Sequence, residues 1–290
     1  MGTLILEELV NGVLVGSIYA LVAVGLALIF GVLGVINFAQ GEYFMLGAFI
    51  AWAASTFLHV PYPIAVLVAV VLSIALALLV SITVMERLVS RTFEIGVLAT
   101  IGLSMIYQNG VQLLFGGTFK SFPGGWTSLI GFGGISVSVQ RLVIFIVTVT
   151  AFIVLELMIR KTRLGKAMRA VSQNYEACLV VGLDVNKIVR YTFMLGIGLA
   201  GLAGALLGPV VLTIYPGIGQ PFTIKAFAII AIGGLGNMAG AFIGALMLGI
   251  VESFVVGFVG LGYRDAVAFI ALVAILLWRP RGLFGTRVRA

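Results

Sequence analysis

Charged residues are scarce in this 290-residue chain, where they make up 9% of the sequence. Soluble globular domains carry about a quarter. Hydrophobic residues supply 62%, and the mean hydropathy is +1.24. This balance excludes a soluble globular protein and predicts an integral membrane protein.

Cysteine and histidine are almost absent, with Cys178 and His59 the only residues of their kinds. An intrachain disulfide and a His/Cys metal cluster are therefore excluded. The sequence also has no G-x-x-x-x-G-K-[ST] loop for ATP phosphates and no Ser/His/Asp constellation. We therefore expect a chain that is not an enzyme and binds no metal or cofactor of its own. The energy for any work that it does has to come from an ion gradient or another subunit.

Long apolar stretches recur through the sequence, and they are solid runs rather than the alternating segments of a β-barrel. They lie at about 8–33, 38–58, 62–84, 95–115, 140–159, 191–214, 222–236, 239–258 and 264–278. The first lacks a signal-peptidase site and is expected to be a helix of the folded chain. Residues 222–236 reach only about 22 Å as a helix, against a hydrocarbon core of about 30 Å, so a half-helix in a re-entrant hairpin is expected there. The predicted fold is an all-α polytopic bundle of about eight to nine transmembrane segments, with broken or re-entrant helices, in one domain over residues 1–290.

Basic residues predict the orientation of the chain in the membrane. Of the 17 lysines and arginines, 13 lie in the segments 85–94, 159–190 and 279–290. These segments are cytoplasmic by the positive-inside rule, which places the N-terminus outside and the C-terminus in the cytoplasm. The same rule explains the net charge of +7 without nucleic acid as a partner.

Small residues recur at four-residue spacing and predict close helix packing. They are Gly196, Ala200, Gly204 and Gly208, with Gly240 and Gly244 repeating the pattern.

Two apolar regions are interrupted by polar and glycine residues in similar patterns. Gly31-Val32-Leu33-Gly34 precedes Asn37-Phe38-Ala39, and Gly233-Gly234-Leu235-Gly236 precedes Asn237-Met238-Ala239. The first interruption continues with Gln40, Gly41 and Glu42. Such echoes indicate an internal repeat, here of parallel orientation, and interrupted helices often line a substrate route.

Ionisable residues within apolar spans are costly and are therefore candidates for function. Glu252 is the strongest, followed by Glu42 and Lys225. A hydrogen bond from Glu252 to a neighbouring helix is an equally good interpretation, and Lys225 is expected to extend outward to the membrane surface. Gln108, Asn109 and Gln112 are close enough on one helix to face a polar cavity. The predicted lining of a substrate pathway is Asn37, Gln40, Gly41, Glu42, Asn237 and Glu252.

Four stretches together resemble a known family. GVINFAQGEYFMLGAF, GKAMRAVSQNYEACLVVGLDVNKI, LAGLAGALLGP and AIIAIGGLGNMAGAFIGALMLGIVES are similar to LivH-type permease subunits of bacterial branched-chain amino acid ABC importers. The resemblance covers residues 8 to 284. Urea and amide importers have similar permeases, so the substrate is specified less closely than the family.

The resemblance implies a location and a set of partners. The chain would lie in the bacterial inner membrane, surrounded by lipid, beside a second, LivM-like permease. Two cytoplasmic ATPases similar to LivG and LivF would bind ATP and Mg²⁺, and a periplasmic binding protein would deliver leucine, isoleucine or valine.

The resemblance also implies a coupling helix in the cytoplasmic loop at about 160–190. Such permeases grip the ATPase through an E-A-A-x-x-x-G signature, which here is Glu176-Ala177-Cys178-Leu179-Val180-Val181-Gly182, with Cys178 in place of the second alanine. A helix over 174–182 is expected to present Tyr175, Leu179 and Gly182 as an apolar knob among basic residues.

Two alternatives to this interpretation stay open. The loop helix could lie on anionic lipid instead of an ATPase. The chain could also be an ion-coupled secondary transporter working alone, in which case the loop would only determine topology.

Overall fold

A computed structural model describes residues 2–126, 128–132, 135–279 and 282–284 of the chain, and these residues are mostly helical. In chain order the helices are α1 (Gly2–Leu33), α2 (Gln40–Phe57), α3 (Tyr62–Val80), α4 (Glu86–Leu88), α5 (Phe93–Phe115), α6 (Val139–Lys161), α7 (Arg163–Gln173), α8 (Tyr175–Val180), α9 (Val185–Val211), α10 (Gly219–Gly233), α11 (Met238–Phe258) and α12 (Arg264–Trp278). A π-helical turn at Ser81–Met85 joins α3 to α4, and a 3-10 turn at Leu261–Tyr263 precedes α12. The predicted apolar stretches thus correspond to helices.

Short strands occur in two places, between α5 and α6 and directly after α9. β1 (Lys120–Ser121) pairs antiparallel with β4 (Thr213–Ile214), and β2 (Leu129–Phe132) pairs antiparallel with β3 (Ile135–Ser138). The described strands form two separate two-stranded ladders and no closed sheet. They lie at the end of the bundle where α6 begins, which is opposite to the end where α7 and α8 follow α6.

Six helical stretches are long and apolar enough to cross a membrane. They are Leu4–Leu33, Tyr62–Leu88, Phe93–Phe115, Val139–Lys161, Val185–Val211 and Met238–Phe258. α10 is apolar but has only 15 residues, as its sequence predicted. The chain is a multi-pass membrane protein.

Side-chain caps explain why several of these helices begin where they do. The hydroxyl of Thr162 accepts a hydrogen bond from the backbone N–H of Gly165 at the start of α7. The Asn174 side chain accepts from Ala177 N–H in α8, and Asp184 accepts from Lys187 N–H in α9. Each cap is a polar residue that lies between two helices, so this segment is divided into separate helices rather than forming one.

The core of the bundle is built around α1, which packs along its length on α11 and also contacts α9, α10 and α6. α9 in turn packs against α2 and α3. The side chains of α5 are mostly exposed, so this helix lies at the edge of the bundle.

Small residues permit the close approach of α9 to its neighbours, as their spacing predicted. Gly196 lies against Gly25 and Ile29 of α1, and a β-carbon added at Gly204 would overlap the carbonyl oxygen of Phe44 in α2. Gly240 and Gly244 similarly contact α10. These glycines are packing residues.

The variant Gly204→Ala is expected to lower the free energy of unfolding by about 1–3 kcal/mol, because the added methyl group has to separate α9 from α2. The matched control is Gly110→Ala in α5, where an added β-carbon meets no atom within 4 Å. This control is expected to stabilise the chain by about 0.5–1 kcal/mol, since alanine is the better helix former. Thermal unfolding in detergent measures both, and equal effects of the two changes would contradict the described packing.

Candidate functional site

The first predicted interruption lies inside the bundle. The side-chain amide of Gln40 donates to the carbonyl of Val22 (3.4 Å) and to that of Gly196 (3.3 Å), and it accepts from the Asn37 amide (3.2 Å). Val22 lies 11 residues before the end of α1, or about 16 Å along the helix axis. α2 therefore begins deep within the bundle. Gln40 connects the first turn of α2 to α1 and α9 by hydrogen bonds.

A second helix begins beside α2. A β-carbon at Gly41 would overlap Gly219, the first residue of α10, and the backbone N–H of Gly41 donates to the hydroxyl of Thr223 (2.9 Å). The rings of Phe44 and Phe222 stack next to this contact, with centroids 4.1 Å apart. The N-terminal ends of α2 and α10 thus meet in the interior, each with the partial positive charge of a helix start.

A groove of about 270 Å³, lined by both polar and apolar side chains, opens beside this meeting point, between α2, α5 and α10. The Glu42 side chain is buried there, and its Oε1 accepts from the hydroxyl of Ser104 (3.1 Å). Its other carboxylate oxygen has no hydrogen-bond partner among the described residues. Gln108 and Gln220 line the same groove, as does Thr223. Sequence analysis pointed to Glu42 and Gln108, whereas Ser104, Gln220 and Thr223 were missed because single polar residues in apolar helices are common.

Glu252 lies in a buried cluster of charges apart from the groove. Its carboxylate contacts Lys225 Nζ (2.9 Å) and Arg264 Nε (3.2 Å) and accepts from the Tyr19 hydroxyl (2.7 Å). Lys225 also pairs with Asp265 (3.0 Å). The expectation that Lys225 extends outward was wrong, because its ammonium group is buried and paired with Glu252. This network joins α1, α10, α11 and α12.

Asn237 lies at the second interruption and starts α11. Its side-chain oxygen accepts from Gly240 N–H (2.9 Å), and its amide donates to the carbonyl of Phe284 (2.9 Å). It also lines a cavity of about 360 Å³ near α7, which is separate from the groove at Glu42. The two interruptions touch each other, since Gly31 packs directly on Gly236.

α8 presents an apolar tip to solvent beyond the bundle. Leu179, Val180 and Val181 are 52%, 87% and 75% exposed, while Cys178 is buried against the bundle. The burial explains Cys178, since that position needs a small apolar side chain. The predicted surface of Tyr175, Leu179 and Gly182 was therefore only partly right. α8 ends at Val180, and Tyr175 is half-buried.

Gly182 ends the α8 turn in a left-handed conformation, with φ +78°. Its N–H bonds to the carbonyl of Leu179, and the N–H of Leu183 bonds to that of Cys178. Glycine adopts this backbone conformation without a steric penalty, so it fixes the direction in which the apolar tip points. Glu176 and Ala177 are exposed on the same short helix.

Comparison with known proteins identifies the family. Residues 8–276 match the family described as the permease component of branched-chain amino acid transport systems. The chain is 37% identical to the high-affinity branched-chain amino acid transport system permease protein BraD of Pseudomonas aeruginosa, over 97% of this chain and 95% of that protein. It is 33% identical to the corresponding permease protein LivH of Escherichia coli, with the same coverage.

A more distant similarity extends beyond amino acid systems. The ribose import permease protein RbsC of Escherichia coli is 27% identical over 82% of this chain and 74% of that protein. No solved structure matches the chain. On the match to 269 consecutive residues, the chain belongs to the family of branched-chain amino acid transport system permease components.

Proposed function

We propose that this chain is one of two membrane-spanning subunits of an ABC importer that moves leucine, isoleucine and valine into the cytoplasm. The observation that carries the proposal is the match of nearly the whole chain to this permease family, together with relatives named as branched-chain amino acid permeases. The chain itself is the non-catalytic permease, and ATP and Mg²⁺ bind to the ATPase subunits.

The apolar tip of α8 supports docking to those ATPases. Leu179 and Val180 project from the bundle at the end of a six-residue helix, Val181 projects directly after it, and α7 with its basic residues lies beside them. An exposed apolar cluster rimmed by polar residues is typical of a protein interface. The proposed coupling residues are Tyr175, Glu176, Ala177, Cys178, Leu179 and Gly182, with Val180 and Val181 added from the geometry.

The groove at Glu42 supports a route along the exposed side of α5, α2 and α10. Three amide side chains are exposed on this side of the bundle. They are Asn109 and Gln112 of α5 and Gln220 at the start of α10. Lipid cannot satisfy amide groups, whereas water or protein can. We infer that a second, LivM-like permease covers this side and encloses the path, with Asn37, Gln40 and Gly41 positioning the start of α2. Asn237 and Glu252 remain proposed pathway residues at other depths.

The membrane topology belongs to the same proposal. With α2, α10 and α12 added to the six longer helices, the chain would cross the bacterial inner membrane nine times, an odd number, as two parallel repeats. The N-terminus would lie outside, and α7 and α8 would lie in the cytoplasm with the C-terminus and beside the ATPases. A periplasmic binding protein would then meet the end that carries the strands. Arg281, Arg287 and Arg289, which contributed to this orientation, are outside the described residues.

Competition in uptake tests the substrate class. Cells that express the importer are given labelled leucine with an excess of isoleucine, valine, urea, acetamide or ribose. We expect isoleucine and valine to suppress the uptake and the other three solutes to leave it unchanged. Suppression by urea, acetamide or ribose without suppression by valine would overturn the proposed substrate.

A bulky side chain in the groove tests the route. The variant Ser104→Phe is expected to reduce the uptake rate at least about tenfold, a change of about 1.4 kcal/mol in the barrier, because the ring fills the space in front of Glu42. The control Ile146→Phe lies on α6, which does not line the groove, and its side chain is 61% exposed. It is expected to retain uptake. Co-purification of the other subunits verifies assembly, and normal uptake by an assembled Ser104→Phe importer would contradict the route.

A further inference from the structure

A second cavity lies at the end of the bundle that carries the strands, and we call it the far-end cavity. Its volume is about 470 Å³, and helices α1, α6, α9, α10, α11 and α12 all contribute to its lining. α10 separates it from the groove, since Phe222 and Lys225 face the cavity while Thr223 and Ile224 face the groove. Volumes of about 300–1,000 Å³ are typical of sites for small molecules.

Two opposite charges line the far-end cavity without pairing. Arg141 donates one hydrogen bond, from Nη1 to the side-chain oxygen of Asn11 (3.1 Å), and has no carboxylate within 4.0 Å among the described residues. Glu8 accepts from the hydroxyl of Ser253 (2.6 Å) and has no basic group within 4.0 Å in the described part of the chain.

The other charged groups of the same cavity form a contrast. Lys225, Glu252, Arg264 and Asp265 pair with one another. Their interactions need no ligand, whereas Arg141 retains N–H donors and Glu8 retains a carboxylate oxygen for one. Glu8 and Arg141 are half-buried, and ionisable residues that face a cavity of a membrane protein without an ionic partner are candidates for function.

Much of the remaining wall of the far-end cavity is aliphatic, with the rings of Tyr19 and Phe222 beside it. The aliphatic part is formed by Val15, Ile18, Leu207, Val210, Val256 and Leu261. Branched aliphatic side chains favour an aliphatic ligand group through burial of apolar surface. The cavity therefore offers a cation, an anion and an apolar wall. These match the carboxylate, the ammonium group and the aliphatic side chain of a branched-chain amino acid.

We propose that the far-end cavity binds the branched-chain amino acid as a zwitterion, with the α-carboxylate at Arg141, the α-ammonium at Glu8 and the side chain on the aliphatic wall. An arginine guanidinium suits a carboxylate because it donates two parallel hydrogen bonds. This inference rests on the proposed function and adds a binding site within the permease itself, on the far side of α10 from the groove.

Direct binding to the full-length chain tests this site. The purified chain in detergent is titrated with tritiated leucine, and two analogues compete: 4-methylpentanoate, which lacks the ammonium group, and 3-methylbutylamine, which lacks the carboxylate. We expect saturable binding of leucine and at least about tenfold weaker binding of each analogue, because each loses one charged contact. This comparison needs only the wild-type chain and does not depend on how a variant folds.

Variants then assign each charge. Arg141→Gln is expected to weaken the binding of leucine and 4-methylpentanoate at least about tenfold and to leave that of 3-methylbutylamine unchanged. Glu8→Gln is expected to weaken the binding of leucine and 3-methylbutylamine and to leave that of 4-methylpentanoate unchanged. The variant Arg141→Lys, which keeps the charge, is expected to recover part of the binding. Glu7→Gln is the matched control, since Glu7 is exposed on α1 and does not line the cavity.

Three results would overturn the site: no saturable leucine binding, equal binding of leucine and both analogues, or variants that weaken all ligands alike. The proposed function is tested separately, by measuring ATP-dependent leucine uptake by the assembled importer. Uptake that continues with an unchanged KM in Arg141→Gln would exclude the site and leave the proposed function intact. Leucine binding without ATP-dependent uptake would retain the site and exclude the function.

Discussion

The variant Val180→Asp is expected to abolish co-purification of the ATPase subunits with this permease. Val180 is the most exposed residue of the α8 tip, at 87%. A buried and unpaired charge costs several kcal/mol at an interface. Affinity purification of the assembled importer, followed by quantification of the ATPases, measures the effect.

The control for this prediction is Val180→Leu, which keeps the tip apolar and is expected to retain the ATPases. Retention of the ATPases by Val180→Asp would contradict docking at α8. If that variant instead lost binding to vesicles of anionic lipid, the lipid-bound alternative for this helix would be favoured.

The variant Glu252→Leu is expected to lower the free energy of unfolding by about 3–5 kcal/mol, because it leaves the buried ammonium group of Lys225 with only the exposed Asp265 as an acidic partner. Lys225 and Glu252 side chains are 7% and 1% exposed, so solvent screens their interaction little. Thermal and denaturant unfolding in detergent measure the change. Glu7→Leu, on the exposed side of α1, is expected to have little effect.

A double variant separates the pair from the rest of the cluster. Glu252→Leu combined with Lys225→Met is expected to be more stable than the sum of the single changes predicts, by about 0.5–3 kcal/mol. Strict additivity of the two changes would contradict direct pairing between α10 and α11.

The helices were largely predictable because the apolar runs are continuous and end at polar or glycine residues. α10 illustrates this, since its short length was predicted and observed. Packing at Gly204 was also predicted, since four-residue spacing of small residues places them on one helix face.

The candidate site was less predictable because its residues come together only through the fold. Ser104 and Thr223 meet the carboxylate region of Glu42 from helices far apart in sequence, and each is a single polar residue in an apolar run. Lys225 was assigned to the membrane surface because its partner Glu252 lies on another helix. The depth at which α2 begins was also hidden, since it depends on Gln40 bonding to α1 and α9.

The helix predicted in the loop at about 160–190 is present, but its bounds and its apolar surface differ from the prediction. A single helix over 174–182 was predicted, whereas Asn174 starts α8 and the left-handed Gly182 ends the turn. The apolar surface consequently moves to Leu179, Val180 and Val181. The cap at Asn174 and the left-handed backbone at Gly182 determine the bounds of α8. Helical periodicity alone does not predict these bounds.

The most direct test of the central claim is leucine uptake by proteoliposomes that contain this chain, a second permease and the two ATPases, with the binding protein supplied outside. We expect uptake to require enclosed ATP, the ATPases and the binding protein together, and to disappear with Val180→Asp. Uptake by this chain alone, driven by an ion gradient and independent of ATP, would contradict the claim and identify a secondary transporter.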